Sequence, residues 1–332
     1  MRVLIQGKGI AARCCERLLV RAGEIQVAIK PNSRVPVPAL MLAEPALALI
    51  RDVFGNQDLW RAAPKIRNRV VAWHRDAGPE TVPHSAVVIS ERELLEELAP
   101  ASGLDETADA DLTIHSALPL PACVADHAFG TRKSHSIPVV LRNGAASQTC
   151  WIESVAQGWL FLIPEGAESA WLLSVGAAPD VLLAQSRVVA KQIDSVGLPS
   201  AAFSAYPRVA SPLCGPGWIA CGTAAMGFDP ICGDGTAHAV REGVLASAVA
   251  QAVSRGADAE ELCCHYDARL IAGLERHLKL CCDFYQSGFG GPWWEQETEL
   301  AEQGLAWCSA RLAEHGPFRY RLDDFELKRL VR

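Results

Sequence analysis

The sequence of 332 residues lacks the long apolar run that a membrane-spanning helix needs, although half of its residues are hydrophobic. It also lacks a charged leader, because the apolar strand pattern of residues 2–5 begins at once, so we expect no secretory signal. Basic clusters with interleaved aromatic residues are missing from a chain whose net charge is −7, which argues against a nucleic-acid surface. We therefore expect a soluble, cytoplasmic protein that acts on neither membranes nor nucleic acids.

The cysteines lack the pattern of a metal site. There are 12 of them, without the paired spacing of a zinc site and without the density of a disulfide scaffold. Adjacent pairs lie in predicted helices, where neighbouring side chains diverge by about 100° and do not readily share one ion. These pairs are Cys14-Cys15, Cys263-Cys264 and Cys281-Cys282. We expect reduced core thiols and predict no metal site.

One glycine-rich turn lies near the start of the sequence. Residues 2–29 have the pattern of strand, turn, helix and strand, with Gly7 and Gly9 before the helix, Ala12 in its first turn and Gly23 at its end. This is the βαβ pattern of a nucleotide-binding fold, in which N–H groups at the helix start face a pyrophosphate. A second turn of this kind is absent, so the sequence indicates no fixed NAD(P)H domain.

A second informative segment follows more than two hundred residues later. Residues 217–221 form an apolar run that continues into Gly222-Thr223-Ala224-Ala225 and then into Asp229-Pro230-Ile231-Cys232-Gly233-Asp234-Gly235. A helix is predicted from about 236 to 253, and its N-terminus carries partial positive charge. Such a terminus suits the pyrimidine edge of an isoalloxazine, which becomes anionic on reduction. The two segments together predict a flavin site that neither indicates alone.

In this order the motifs resemble those of the flavin-dependent halogenase and monooxygenase superfamily, FAD proteins with a glutathione-reductase-like nucleotide domain. Three further stretches carry the resemblance: Arg34-Val35-Pro36, the segment ending in Glu44-Pro45, and Ile89-Ser90-Glu91-Arg92, which is similar to a segment whose arginine lies over the cofactor. Residues 158–164 approximate the Trp-x-Trp-x-Ile-Pro signature of halogenases, with Phe161 at the second tryptophan.

The resemblance implies an FAD cofactor, reduced by NAD(P)H through transient contact or by a separate flavin reductase. It also implies which residues bind the cofactor: they come from the glycine-rich turn, the end of the next strand, two segments before residue 93, and the second motif. These are Gly7, Gly9, Ala12, Lys30, Arg34, Glu44, Arg92, Thr223, Asp229, Pro230, Gly233 and Gly235.

Three positions depart from the superfamily pattern. Lys30 stands where a carboxylate would accept the adenosine ribose hydroxyls, Thr223 stands where an aspartate would face the ribityl chain, and residues 115–119 replace an Ala-x-Gly turn. Each lost charge-assisted hydrogen bond is worth about 1.5–3 kcal/mol, so these changes are expected to weaken FAD binding. Alternatively, Lys30 contacts a phosphate and Thr223 makes a neutral hydrogen bond.

The expected fold class is α/β: a Rossmann-like FAD-binding domain with an inserted antiparallel β-sheet substrate domain and a C-terminal helical segment. Extended runs separated by turns at residues 137–175 predict the antiparallel meander, and a helix at 179–196 is predicted to follow it. We assign residues 1–55, 85–120 and 205–257 to the FAD-binding domain, 56–84 and 121–204 to the substrate-side sheet, and 258–332 to the helical region.

The resemblance predicts an FAD-dependent monooxygenase, a hydroxylase, acting on an aromatic or electron-rich substrate that is free or bound to a peptide or carrier. Trp159 is expected to shape the substrate pocket as part of an apolar wall that excludes water. A flavin-dependent halogenase is one alternative; it needs a lysine near the substrate, and Lys65 precedes Trp73 by eight residues in a comparable strand. The other alternative is a degenerate flavoprotein fold that acts as a binding or accessory protein.

Overall fold

A computed structural model of the chain describes residues 1–32, 35–76, 78–99, 109–142 and 147–330. Its strands, in chain order, are β1 (Arg2–Gln6), β2 (Gln26–Lys30), β3 (Leu40–Ala43), β4 (Lys65–Ala72), β5 (Glu80–Ile89), β6 (Leu112–His115), β7 (Ala125–Ala128), β8 (Lys133–Leu141), β9 (Thr149–Val155), β10 (Gly158–Pro164), β11 (Ser169–Gly176), β12 (Ile193–Val196), β13 (Phe203–Ser204), β14 (Arg208–Ser211), β15 (Cys214–Gly215), β16 (Trp218–Ala220), β17 (Met226–Gly227), β18 (Tyr320–Asp323) and β19 (Glu326–Arg329).

The α-helices are α1 (Ile10–Ala22), α2 (Glu44–Phe54), α3 (Glu91–Glu97), α4 (Pro179–Gln185), α5 (Gly222–Ala225), α6 (Gly235–Ser254), α7 (Ala259–Gln286) and α8 (Pro292–Glu314). Short 3₁₀ turns occupy Ala190–Gln192 and Pro230–Cys232. Among the helices of the described ranges, none is long and apolar enough to cross a membrane.

The first sheet has the strand order β15-β16-β6-β1-β2, and β16, β6, β1 and β2 run parallel. Their carboxyl ends therefore meet at one edge of the sheet. Helix α1 crosses from β1 to β2 and ends at Gly23, which takes φ of 75°, as the sequence predicts. Helix α6 packs so closely on α1 that a Cβ on Gly243 would lie 2.6 Å from Ala11 O.

The second sheet has the order β12-β8-β11-β10-β9-β4-β5-β3, with β13 beside β8. Its neighbouring strands are antiparallel except β4 and β9. Strands β9, β10 and β11 form the predicted meander, whereas β8 pairs with β11 and not with β9. Along β10 the side chains alternate between two cores: Trp159 and Phe161 enter the core shared with the first sheet and α6–α8, whereas Leu160 and Leu162 face the core beneath α4.

The helix predicted at 179–196 is shorter than expected, because α4 ends at Gln185. Glu153, which is 2% exposed, accepts hydrogen bonds from the backbone N–H groups of Arg187 at 2.6 Å and Val189 at 2.8 Å and from the Ser186 hydroxyl. These bonds satisfy a buried carboxylate, and they hold the backbone out of the helix.

The C-terminal region is helical through α8, as predicted, but it ends in a hairpin formed by β18 and β19. Gly316 and Pro317 follow the helix and stop it. The hairpin turn uses Asp324 and Phe325, with φ of 46° and 63°, the left-handed pair that a tight two-residue turn requires.

Candidate cofactor and active site

The turn after β1 brings a helix N-terminus to the carboxyl edge of the first sheet. Gly7 has φ of 130° and donates its N–H to Lys30 O at 2.9 Å, and α1 starts at Ile10. A Cβ on Gly7 would lie 2.2 Å from Ser116 Oγ, so the turn requires glycine. Gly9 precedes the helix and has no side chain to cap it, which leaves the first-turn N–H groups for an anion.

The turn after β6 closes against the same edge. The N–H groups of Ser116 and Ala117 both donate to Gln6 O, at 2.9 and 3.1 Å. On the other side of β6, the N–H of Cys221 donates to His115 O at 2.8 Å. The ends of β1, β6 and β16 are thus held together by backbone hydrogen bonds.

The second motif starts at this junction. Gly222 takes φ of 57° and turns the chain into α5. A Cβ on Gly222 would lie 2.9 Å from Ala11 Cβ, so α5 lies directly against the first turn of α1. The hydroxyl of Thr223 donates to Ser116 O at 3.4 Å. The two glycine-rich segments, far apart in sequence, therefore lie side by side.

The Asp-Pro segment of the second motif is anchored inside the protein. Asp229 is fully buried; its Oδ1 accepts from Ile231 N at 2.9 Å and its Oδ2 from the Tyr285 hydroxyl at 2.8 Å. This carboxylate holds the loop from inside. Gly233 and Gly235, by contrast, are exposed, and a Cβ built on either meets no atom of the described residues within 4 Å. The loop is therefore open to solvent beside these two glycines.

A buried arginine ties this loop to the rest of the protein. Arg132 Nε lies 2.9 Å from Asp229 Oδ2, and its Nη1 lies 2.5 Å from Glu297 Oε2; all three side chains are buried. The guanidinium also lies over the Tyr285 ring, 4.6 Å from its centroid. Burial by itself lowers the pKa of Arg132, but Tyr285, Asp229 and Glu297 together raise it above its ordinary value. A permanent cation therefore joins the start of β8, the loop and α8.

No protein-family model matches the chain, and no curated protein matches it in sequence. Solved structures do match. The chain is similar to CmlS, a flavin-dependent halogenase, with a TM-score of 0.76 and 16% identity over 94% of this chain and 71% of that one. The chain has the fold of the flavin-dependent halogenase and monooxygenase superfamily. It is also similar to QhpG, a peptidyl tryptophan dihydroxylase (TM-score 0.72, 20% identity, 89% of this chain and 78% of that one).

A third similar structure is a variant of HpxO from Klebsiella pneumoniae complexed with FAD, with a TM-score of 0.60 and 15% identity over 95% of this chain and 99% of that one. In this superfamily fold, the edge formed by α1, α5 and the start of α6 is where an FAD would fit. The first-turn N–H groups of α1 could hold a phosphate, and the start of α6 is open to solvent at Gly233 and Gly235.

Three of the predicted contacts, Lys30, Glu44 and Arg92, lie on the surface. Lys30 is exposed at the end of β2, and Arg92 is exposed on α3. Glu44 starts α2, is 61% exposed and pairs with Arg51 at 3.3 Å. Arg34 lies outside the described residues. Of the remaining predicted contacts, Ala12 is buried in α1 and Pro230 begins the 3₁₀ turn, and all of these assignments stay predictions.

Lys65 and Trp73 lie at opposite ends of β4 in this superfamily fold. Lys65 is the exposed first residue of the strand, opposite Val87. Trp73 follows the last residue and packs against Trp159 and Trp294, with ring centroids 6.4 and 5.5 Å away. Eight residues of extended chain span about 26 Å. A catalytic site at Lys65 would therefore lie about one strand length away from the aromatic rings around Trp73.

Trp159 is fully buried, and its indole N–H donates to the Tyr285 hydroxyl at 3.3 Å. Phe161, on the same face of β10, is 8% exposed, and the Arg69 guanidinium lies 5.8 Å from its ring centroid. Arg69 Nη2 lies 3.1 Å from His84 Nε2. Burial, and then the charge of Arg69, lower the pKa of His84, so its imidazole is neutral at pH 7.

Sequence reasoning missed a buried acid in the middle of α6. Glu242 is 3% exposed, and both carboxyl oxygens lack a hydrogen-bond partner among the described side chains and backbone. Burial raises its pKa to about 8, against smaller lowering effects of the Gly222 backbone and the charge of Arg208. The side chain is therefore mostly uncharged at pH 7, directly beneath the Gly222 turn. A lone glutamate in the apolar stretch of residues 240–250 was the available signal.

Two histidines flank the start of α6. His238 Nε2 lies 3.0 Å from Asp234 Oδ2, and His277 Nδ1 lies 3.4 Å from Asp234 Oδ1. Phe228 stacks on the His238 ring at a centroid distance of 4.0 Å. Burial raises the pKa of Asp234, but its hydrogen bonds to His238 and His277 outweigh this and hold the pKa below its ordinary value. Asp234 is thus an ionised carboxylate whose oxygens face the two histidine rings.

Proposed function

We propose that the protein is an FAD-dependent monooxygenase that hydroxylates an aromatic or electron-rich substrate. One observation carries the proposal: the two glycine-rich segments meet at one edge of a superfamily fold, with the start of α1 against the Gly222 turn and open space at Gly233 and Gly235. A helix terminus that can bind an anion, next to a second helix start that is open to solvent, is an arrangement that suits a flavin dinucleotide.

Each part of this edge has a role in the proposal. The first-turn N–H groups of α1 hold the pyrophosphate, and the Thr223 hydroxyl is the neutral partner of the ribityl chain. The N-terminus of α6 at Gly235 stabilises negative charge on the pyrimidine edge. Lys30, at the end of β2, is left to contact a phosphate or ribose. Once reduced by NAD(P)H or a flavin reductase, bound FAD supplies the activation of dioxygen.

On the substrate side, the second sheet supplies an apolar wall. Trp159 and Phe161 belong to this wall, and both are buried in the core that it shares with the first sheet. Such a wall excludes water from the reacting centre. Arg69 and the neutral imidazole of His84 add polar groups beside Phe161 that can orient a phenol or indole N–H. We assign residues 56–84 and 121–204, which carry most strands of this sheet, as the substrate domain, and residues 1–55, 85–120 and 205–257 as the FAD domain; β3 and the end of β5 join the same sheet from the FAD-domain ranges.

Because QhpG acts on peptidyl tryptophan, an aromatic side chain within a peptide is the substrate form that we would test first. Purified protein is titrated with FAD, and binding is followed by quenching of flavin fluorescence. Gly235→Leu is expected to abolish binding while the protein stays folded, because the added side chain fills the space at the start of α6.

Gly316→Leu is the matched control, since Gly316 also has open space around it but lies beyond α8. Its FAD affinity should equal that of the wild type. A wild-type protein that binds no FAD, or a Gly235→Leu variant with normal affinity, rejects the proposal. A colourless protein that still binds a peptide would favour the accessory-protein reading.

A flavin-dependent halogenase is the second candidate, favoured by the similarity to CmlS. Turnover with reduced flavin and an aromatic peptide, with and without bromide, separates the two by product mass. Hydroxylated product without halide supports the monooxygenase. Brominated product that Lys65→Ala abolishes would instead support the halogenase.

A further inference from the structure

Two thiols meet beneath the loop that precedes α6. Cys232 Sγ and Cys281 Sγ are 3.9 Å apart, although the residues belong to the 3₁₀ turn of the loop and to α7, respectively. Cys281 is buried, whereas Cys232 is only half-buried and adjoins the exposed Gly233. A disulfide needs the sulfur atoms about 2 Å closer, a movement within the reach of side-chain rotation and a small loop shift.

His277 lies one turn before Cys281 on α7 and completes the group. The ligand atoms of Cys232, His277 and Cys281 all lie within 4.8 Å of one another, so a soft metal ion is the first possibility to test. The backbone N–H of Asp229 donates to His277 Nε2 at 2.9 Å. This nitrogen must therefore be unprotonated, and the ring proton sits on Nδ1.

That tautomer decides against a metal. A histidine that binds an ion through Nδ1 carries its proton on Nε2, where it would meet the Asp229 N–H, donor against donor. His277 Nδ1 instead lies 3.4 Å from Asp234 Oδ1 and within 4.8 Å of both sulfur atoms. The arrangement suits sulfur chemistry in which a positioned N–H stabilises developing negative charge on a thiol.

We propose that Cys232 and Cys281 form a peroxide-reactive pair whose disulfide draws the flavin-binding loop toward α7. Hydrogen peroxide oxidises the half-buried Cys232 first: the sulfur takes up one oxygen to give a sulfenic acid, and water leaves. Cys281 then attacks this sulfur; the S–S bond forms, the S–O bond breaks, and the hydroxyl leaves as water with the hydrogen of the Cys281 thiol. Two thiols and one peroxide thus give one disulfide and two waters.

The order of the two steps follows from the surroundings of each sulfur. Contact with Cys232, and then burial, raise the pKa of Cys281, while its hydrogen bond with His277 lowers it less. Cys281 therefore stays a protonated thiol until Cys232 has been oxidised, and Cys232 is the sulfur that a small oxidant reaches. Hydrogen peroxide also forms when dioxygen oxidises a reduced flavin. This source of the oxidant rests on the proposed function, whereas the cysteine pair does not.

A disulfide between Cys232 and Cys281 would shift the two glycines at the start of α6, Gly233 and Gly235. Gly233 directly follows Cys232, and α6 begins two residues later at Gly235. Pulling Cys232 toward α7 moves both glycines away from their positions in the reduced protein. We expect the disulfide to weaken FAD binding by about tenfold or more, reversibly.

The test treats flavin-free protein with hydrogen peroxide and digests it with trypsin without reduction. A crosslink between the peptides of residues 209–241 and 280–311, assigned by fragmentation to Cys232 and Cys281, is the expected result. Cys232→Ser and Cys281→Ser should each abolish it. Cys282→Ser is the matched control and should retain the crosslink, because its side chain points about 100° away on the helix.

FAD affinity is then measured before oxidation, after it, and after dithiothreitol. No crosslink, a crosslink that needs Cys282, or stoichiometric zinc that protects the cysteines would each overturn the cysteine pair. Equal FAD affinity in the reduced and crosslinked proteins would overturn its effect on the loop. Because peroxide is added from outside, a crosslinked protein that binds no FAD in either state would reject the proposed function and leave the cysteine pair standing.

Discussion

Replacing Arg132 with methionine should destabilise the protein severely. The substitution keeps the volume of the side-chain stem but removes the cation that faces Asp229 at 2.9 Å and Glu297 at 2.5 Å. Both carboxylates remain buried, and the cation–π contact with Tyr285 is lost as well. Removing one partner of a buried ion pair costs about 3–5 kcal/mol, because the remaining charge is left without compensation. This is a large fraction of the roughly 5–15 kcal/mol that stabilises most proteins.

The assay is urea unfolding followed by tryptophan fluorescence, since Trp159 and Trp294 lie in the same core. Arg61→Met is the matched control: Arg61 pairs with Asp58 at 3.1 Å, but its side chain is 82% exposed, so stability should barely change. Adding Asp229→Asn and Glu297→Gln to Arg132→Met should recover part of the loss, because no uncompensated charge then stays buried. An Arg132→Met protein as stable as Arg61→Met would refute the reasoning.

Two further predictions concern the edge that we propose as the cofactor site. Thr223→Asp should tighten FAD binding about tenfold by restoring a charge-assisted bond, and Thr223→Ala should weaken it; fluorescence titration showing equal affinity for Asp and Thr would contradict the assigned role. Glu242→Gln should flatten the pH dependence of stability. Because burial raises the pKa of Glu242 from 4.5 to about 8, its contribution is greatest below pH 4.5 and is lost as the pH rises to about 8. This loss amounts to about 5 kcal/mol at most. Stability is measured by urea unfolding at pH 5 and pH 8, and an equal change in stability between the two pH values in both proteins would reject the prediction.

The fold could be predicted because its signals are local. Gly7 and Gly23 mark the two ends of the first turn and helix, and the continuous apolar run of β10 predicts a strand that is buried on both faces. The glycine-rich segments also carry a motif order that resembles one superfamily. Such features depend on neighbours within a few residues, so the printed sequence contains them.

The features that were missed depend on distant partners. Arg132 stands between Thr131 and Lys133, a polar context that suggests an exposed side chain, and its burial follows from carboxylates about 100 and 165 residues further along. The end of α4 at Gln185 depends on Glu153, which lies in a strand far upstream. Polar side chains that are buried with specific partners leave no periodic signal in the sequence.

The close approach of α1 and α6 also has a consequence for synthesis. Ala11 leaves the ribosome more than two hundred residues before Gly243, against which it packs. At a synthesis rate of about 5–20 residues per second, roughly 10–50 s pass between the emergence of α1 and that of α6. During that interval the βαβ unit of β1, α1 and β2 is complete, but the edge that α1 shares with α5 and α6 does not exist. This edge can therefore form only late in synthesis, after α6 has emerged.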